Sequence, residues 1–350
     1  MRIAQVAPLW ESVPPKLYGG TERIVSYLTE ALVAQGHEVT LFASGDSETR
    51  AQLEAVVPRA LRLAPGLHDA TAAHVLALEE VLRQSDRFDI IHFHVDHLHL
   101  PVFSRLDIPF VSTLHGRLDL PELGPLYRRF PKAPLVSISN HQRLPLPDGD
   151  WVATVYNGIP ADHYRFHAQG GDYLAFLGRM SPEKGPDQAI EIARRAGMPI
   201  KLAAKVDPVD QDYFDQRVRP LLDQPGVEFV GEIDDAEKND FLGNARALLF
   251  PIAWPEPFGL VMIEAMACGT PVIAYPLGSV PEIVEDGVNG FIVEGVDQAV
   301  GAVARLDEID RRRCRAVFEN RFSARRMAED YLAVYQKLAQ TDSPRVAAPV

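Results

Sequence analysis

Apolar residues in this chain follow two rhythms, short continuous runs and helical three-to-four spacing, and the two alternate from end to end. Runs over 2–7, 38–43, 88–93 and 110–115 predict buried strands. The first is followed by a loop holding Pro8, Pro14, Pro15, Gly19 and Gly20. Ile24, Leu28, Ala31 and Leu32 then share one helical face, so a helix runs from Thr21, a natural N-cap, to Gln35 and stops at Gly36. A second helix is expected over 71–84. Strands separated by helices imply parallel βαβ units.

The rhythm lapses after Val155, where Asn157, Gly158 and Pro160 supply turn chemistry, and it restarts at Tyr173. Strands are expected over 173–177, 200–204, 227–230, 247–250 and 271–275. Helices are expected over 186–196, ended by Gly197, over 235–244, over 260–267, ended by Gly269, and over 297–306 and 324–338. The alternation therefore runs twice, with an expected first domain over 1–158, a second over 159–322, a helix over 323–340 and a flexible tail over 341–350. A length of 350 residues agrees, at about 150 residues per domain.

Composition narrows the class. Hydrophobic residues at 47% and charged residues at 24% are ordinary globular usage. The net charge of −13 argues against nucleic-acid polymers. Cys268 and Cys314 sit in no CxxC spacing, which suits a reducing compartment or simply a core large enough to need no disulfides. No run approaches the ~18 consecutive apolar residues of a membrane span, and Pro8 interrupts the N-terminal run too early for a signal peptide, so a cytoplasmic protein is expected.

The most informative segment runs from Trp254 to Pro271, with Glu256 and Glu264 in E-x7-E spacing. Pro255 and Pro257 hold Glu256 in an extended loop, whereas Glu264 lies about one turn inside the helix that Phe258 and Gly259 open. The free N–H groups near Gly259, Leu260 and Val261 point back toward Glu256, so an anion and a set of hydroxyls could be held together. Arg179 and Lys184 fall in a loop directly after a strand, the place where open parallel sheets bind ligands. Tyr18, Gly19, Gly20 and Thr21 bring glycine backbone to another helix start.

These residues together resemble the retaining glycosyltransferases of family 4, over almost the whole chain. His115-Gly116 after a strand, Gly178-Arg179 with Lys184-Gly185, Pro281-Glu282 and Asn289-Gly290 complete the resemblance. It implies an α/β chain of GT-B fold, two Rossmann-like parallel-sheet domains facing a cleft, with the C-terminal helix crossing back to the first. It also implies transfer of a hexose from a UDP-, GDP- or ADP-sugar to an acceptor hydroxyl, with retention at the anomeric carbon. The donor belongs to the second domain. The acceptor, a small molecule, glycan or lipid-linked sugar, belongs to the first. Carried over by position, Glu256 and His115 face the reacting centre, Arg179 and Lys184 neutralise the diphosphate, and Gly19 and Gly20 approach it. Glu264 binds ribose hydroxyls, the backbone near Ile233 holds the base, and Phe258, Gly259 and Leu260 form the helix end beside the phosphates. No cofactor or metal is implied. The chain departs from the pattern at Gly278-Ser279, where a second glycine is usual, and at Ala204-Lys205, where a glycine is usual.

Three other readings compete. His92, His94, Asp96 and His97 have the H-x-H-x-D-H spacing of dinuclear metal hydrolases, with His99 close behind. A nucleotide-sugar binding protein without catalysis would share the phosphate loops. A dehydrogenase is disfavoured because no G-x-G-x-x-G follows the first strand. The basic stretch Arg128, Arg129 and Lys132 would suit an anionic membrane surface or acceptor, although such a stretch alone is more often a solvated face.

Overall fold

The structure, a computed structural model, describes residues 1–16, 19–64 and 69–340. Tyr18 and the tail over 341–350 lie outside the described residues. Two compact units emerge, Met1–Gly158 with the chain from Ala324 onward, and Ile159–Ser323.

The first unit carries a seven-stranded sheet in the order β3-β2-β1-β4-β5-β6-β7. Its strands are β1 (Arg2–Val6), β2 (Glu38–Ser44), β3 (Gln52–Val57), β4 (Ile90–Phe93), β5 (Phe110–Leu114), β6 (Leu135–Ser137) and β7 (Trp151–Thr154). Every pairing is parallel. Helix α1 (Gly20–Ala34) follows β1, and α2 (Ala70–Arg83) follows β3. Asp69 caps α2, its carboxylate accepting from the amides of Thr71 and Ala72 at 2.8 and 3.2 Å. The N-cap of α1 is Gly19, and Thr21 lies within the first turn, which corrects the expectation that Thr21 caps the helix. Gly36 holds φ +84°, the left-handed end that glycine supplies without strain.

The second unit carries a six-stranded sheet in the order β10-β9-β8-β11-β12-β13. Its strands are β8 (Tyr173–Arg179), β9 (Ile200–Lys205), β10 (Val227–Gly231), β11 (Ala245–Phe250), β12 (Val272–Ala274) and β13 (Gly290–Ile292). These pairings are parallel too. The helices that position the site are α3 (Pro186–Ala196), α4 (Asp235–Gly243) and α5 (Leu260–Ala267). They are followed by α6 (Val296–Ala304), α7 (Arg311–Arg321) and α8 (Ala324–Ala339). Helix α8 belongs to the first unit, where Tyr331 and Tyr335 are fully buried.

Several elements are not expected from the pattern, among them β3, β6, β7, β13 and α7. β3 is an edge strand with exposed positions, β7 is only partly buried, and β13 is three residues long. Helix α7 is rich in arginine and buries only Cys314 and Phe318, one turn apart, too narrow a stripe to show as amphipathic.

Candidate functional site

In an open parallel sheet, loops diverge at the point where the strand order reverses, and they leave a crevice at the carboxyl ends of the two flanking strands. In the second unit that point falls between β8 and β11. Arg179 is the last residue of β8, which corrects its expected place in the loop; the loop after it carries Lys184, and the loop after β11 carries Glu256. The fold therefore brings together residues that are far apart in sequence.

Lys184 Nζ pairs with Glu256 Oε2. The same oxygen accepts from the Trp254 indole N–H at 2.8 Å, and the ammonium lies 5.2 Å from the Trp254 ring centre. The Lys184 and Glu256 side chains are 17% and 13% exposed, so this pair is partly shielded from water yet reachable. Glycine geometry makes the pairing possible. Gly185 sits at φ +69°, and a Cβ there would run into the Pro251 carbonyl just after β11. The Ala253 amide also donates to the Glu183 carbonyl at 2.9 Å, tying the two loops together.

Arg179 lies 3.0 Å from Glu183, with longer approaches of 3.9 and 3.8 Å to Asp207 and Asp210. Its Nε is buried without a hydrogen-bond partner, so the guanidinium keeps donor capacity for an anion. Lys205, one of the departures from the family pattern, pairs with Asp207 at 2.9 Å.

Gly259 caps α5 at φ +81°, with no side chain bonded to the helix end. The amides of Leu260 and Val261 consequently have no acceptor within the helix, and the end carries partial positive charge. One turn in, Glu264 is 5% exposed, and its Oε1 accepts from the Tyr164 hydroxyl at 3.0 Å and from Lys238 Nζ at 3.2 Å. Ile233 is half-buried in the loop between β10 and α4, just ahead of the capping box formed by Asp234 and Glu237. Phe258 immediately precedes the Gly259 cap, as the E-x7-E segment predicts. Its ring is buried against Phe322, so only its backbone and its neighbours face the helix end.

The Gly278-Ser279 departure is accounted for by the turn it makes. Gly278 sits at φ +60° pressed onto the Glu256 backbone, where a Cβ would collide with both the amide nitrogen and the carbonyl oxygen. Ser279 has ordinary helical φ and ψ, so no second glycine is required. Its amide donates to the Glu256 carbonyl at 3.0 Å and its hydroxyl to the Phe258 carbonyl at 2.6 Å. The turn clamps the loop that presents Glu256. Asn289 is structural as well, buried and accepting from the Glu285 amide at 2.8 Å.

In the first unit the strand order reverses between β1 and β4, and a cavity of about 400 Å³ opens there. Trp10, Thr21, His74, His94, Asp96 and His115 line it. Gly20 opens α1 at its edge, and Gly19 packs so tightly on Pro15 that a Cβ would come within 2.7 Å of that ring. Asp96 at φ +52° is the one non-glycine with a left-handed backbone among the described residues. His115 follows β5 and donates or accepts through Nε2 to His94 Nδ1 at 2.8 Å. Burial pushes its pKa down to about 4, so it is neutral at physiological pH. Gln142, which sequence reasoning missed, fixes the loop by donating to the Leu114 and Gly116 carbonyls at 2.9 and 2.8 Å.

The metal-hydrolase spacing has a different use. His92 Nδ1 bonds the Tyr335 hydroxyl at 2.6 Å and its Nε2 the Thr113 hydroxyl at 2.7 Å. His94 spends its two nitrogens on His115 and Gln5, both at 2.8 Å. His99 stacks on Phe93 and bonds Ser112 at 2.6 Å. These nitrogens are committed to protein partners in the interior, which corrects the reading of His92 to His97 as metal ligands. No cluster of three or more metal-ligating side chains occurs among the described residues.

Comparison with known proteins gives matches over both units. Residues 165–320 match the family described as glycosyl transferases group 1, and residues 18–162 match glycosyltransferase family 4. The glycogen synthase of Mycobacterium tuberculosis is 30% identical, over 90% of this chain and 89% of its own length. A phosphatidyl-myo-inositol mannosyltransferase of Mycolicibacterium smegmatis is 28% identical, over 87% and 84%. Among solved structures, AviGT4, a glycosyltransferase of avilamycin A biosynthesis, is 25% identical with a TM-score of 0.75, covering 98% of this chain and 99% of its own. Sucrose-phosphate synthase from Thermosynechococcus elongatus shares the fold at 18% identity, with a TM-score of 0.81 and coverage of 98% and 100%. No helix among the described residues is long and apolar enough to cross a membrane.

Proposed function

We propose that this chain, which belongs to the group 1 and family 4 glycosyltransferases and has their GT-B fold, transfers a hexose from a nucleotide-diphosphate sugar to an acceptor hydroxyl with retention. The observation that carries the reading is the Lys184–Glu256 pair beside the glycine-capped start of α5, at the reversal point of the second sheet. A sugar diphosphate presents hydroxyls and negative charge side by side. This site offers a carboxylate, cations and free amides in the same arrangement.

In the proposed complex the diphosphate draws on Arg179, Lys184 and the amides of Leu260 and Val261, which supply positive charge where the leaving group forms. This arrangement calls for no metal. Displaced from Lys184, Glu256 takes donor-sugar hydroxyls, Glu264 takes ribose hydroxyls, and the base lies on the backbone near Ile233. The first unit supplies His115, Gly19 and Gly20 to the donor and the remainder of its cavity to the acceptor. The reaction runs on one face. The bond from the anomeric carbon to the diphosphate oxygen breaks, the bond to the acceptor oxygen forms, and the acceptor's proton passes to the departing diphosphate. The two buried free thiols, Cys268 and Cys314, suit the cytoplasm as the site of this chemistry.

A thermal-shift screen of UDP, GDP and ADP with their sugars tests the donor class, since a ligand that binds the folded state raises its melting point. A melting point unmoved by every one of them sinks the proposal. Binding without turnover on any acceptor would favour a sugar-nucleotide sensor. Covalent capture of a slow fluorinated donor on Glu256 would replace the one-face route by a double displacement.

A further inference from the structure

An unbroken line of hydrogen bonds crosses the interior of the first unit from the cavity to α8. His115 Nε2 meets His94 Nδ1 at 2.8 Å, and His94 Nε2 meets Gln5 Oε1 at 2.8 Å. Gln5 Nε2 donates to the Tyr335 hydroxyl at 3.0 Å, and that hydroxyl meets His92 Nδ1 at 2.6 Å. His92 Nε2 meets Thr113 Oγ1 at 2.7 Å, which meets the Tyr331 hydroxyl at 2.8 Å. Gln5, His92, His94, Thr113, Tyr331 and Tyr335 are all buried, so no water relieves a mismatched donor or acceptor.

Such a line has a direction, because a neutral imidazole has one donor nitrogen and one acceptor nitrogen. Gln5 is its only member with a chemically distinct donor and acceptor at opposite ends of one group. Its Oε1 can only accept, so His94 carries its proton on Nε2 and offers Nδ1 as an acceptor. His115 must then carry its own proton on Nε2. On the other side, Gln5 Nε2–H points Tyr335 at His92 Nδ1, and His92 Nε2–H points at Thr113 Oγ1. All six links, the last from the Thr113 hydroxyl to the Tyr331 hydroxyl, obey one polarity.

We propose that Gln5 is a positioning residue that fixes His115 as its Nε2–H tautomer, leaving Nδ1 as a bare acceptor that takes a hydrogen bond from a ligand hydroxyl and cannot give one. The role in turnover rests on the reading of His115 as a contact to the donor sugar. The tautomer itself does not. Gln5 lies on β1, Tyr335 on α8 and His115 after β5, so three separated segments set one proton's place.

The test is the ¹⁵N spectrum of imidazole-labelled full-length protein, with His94 and His115 assigned from His94→Asn and His115→Asn. The wild type should show His115 protonated at Nε2 alone. Gln5→Met removes the acceptor and should shift His115 partly or wholly to the Nδ1–H form. Gln5→Glu keeps an acceptor oxygen for His94 and should keep the Nε2–H form. The Met variant should also lose about tenfold in kcat at little change in donor KM, the scale of removing an outer partner of an active-site imidazole. If Gln5→Met fails to fold, the wild-type and Gln5→Glu spectra still decide. An Nδ1–H tautomer in the wild type, or one unchanged in Gln5→Met, overturns the proposal. A protein with the expected tautomer and no transferase activity would overturn the reading of the site instead.

Discussion

The two units place their polar groups at the same point of the same kind of sheet and use opposite chemistry there. In the second unit the groups are charged and paired: Lys184 with Glu256, Arg179 with Glu183, Lys238 with Glu264. In the first they are neutral and hydrogen-bonded: Gln5, His92, His94 and His115. An ion pair in a partly open crevice can exchange one partner for a ligand of the same sign with little new desolvation. A buried neutral chain cannot exchange anything without leaving a donor or acceptor unsatisfied. The second unit is thus built to swap partners when an anion arrives, and the first to hold one arrangement rigidly.

The largest expected effect comes from breaking the charged side. Glu256→Ala should lower transfer by about 10²- to 10³-fold, the range for loss of one preorganised polar group, while nucleotide affinity measured by calorimetry stays near wild type. Next is the turn that clamps Glu256. Gly278→Ala forces a side chain into φ +60° against the Glu256 backbone, and should cost about 1–3 kcal/mol in chemical denaturation. Donor affinity should fall with it.

The neutral side breaks with acid. Burial holds His115 near 4 and His99 near 3, against an ordinary 6.5, and holds His92 and His94 well below it. The unfolded chain takes up these protons as the pH falls through 6.5, whereas the native rings refuse them, so stability drops from about 6.5 down toward 4. Hydrogen exchange followed separately in the two sheets should show the first opening more readily across that window. The smallest effect is Lys238→Met, which removes a cationic partner from the Glu264 oxygen and should lower stability by about 1 kcal/mol and weaken nucleotide binding a few-fold.

How far the sequence could be read follows the same division. The charged residues are legible because their segments are local: Arg179 at the end of a strand with Lys184 in the loop after it, and a proline-held Glu256 in the loop before the helix that carries Glu264. The helical and strand rhythms likewise gave both parallel sheets, apart from narrow or exposed elements such as β3 and α7. The neutral line was not legible, since Gln5, Thr113, Tyr331 and Tyr335 converge only through tertiary packing. His92 and His94 suggest ligands through the H-x-H-x-D-H spacing, and His92 on β4 and His94 just after it do bring their rings to within 4.0 Å of each other. What covers His92 is α8, from the far end of the chain.

Helix α8 is also a statement about chain order. The second unit is an insert within the first, entered after Gly158 and left at Ser323, with Ile159 and Ser323 bridged side by side. A fragment ending at 158 would therefore leave His92 Nδ1 and Gln5 Nε2 without Tyr335 and Thr113 without Tyr331, and a usable isolated first unit has to splice 324–340 back on. During synthesis the same order makes the ribosome release the last piece of the first sheet's interior only after the whole of the second unit has emerged.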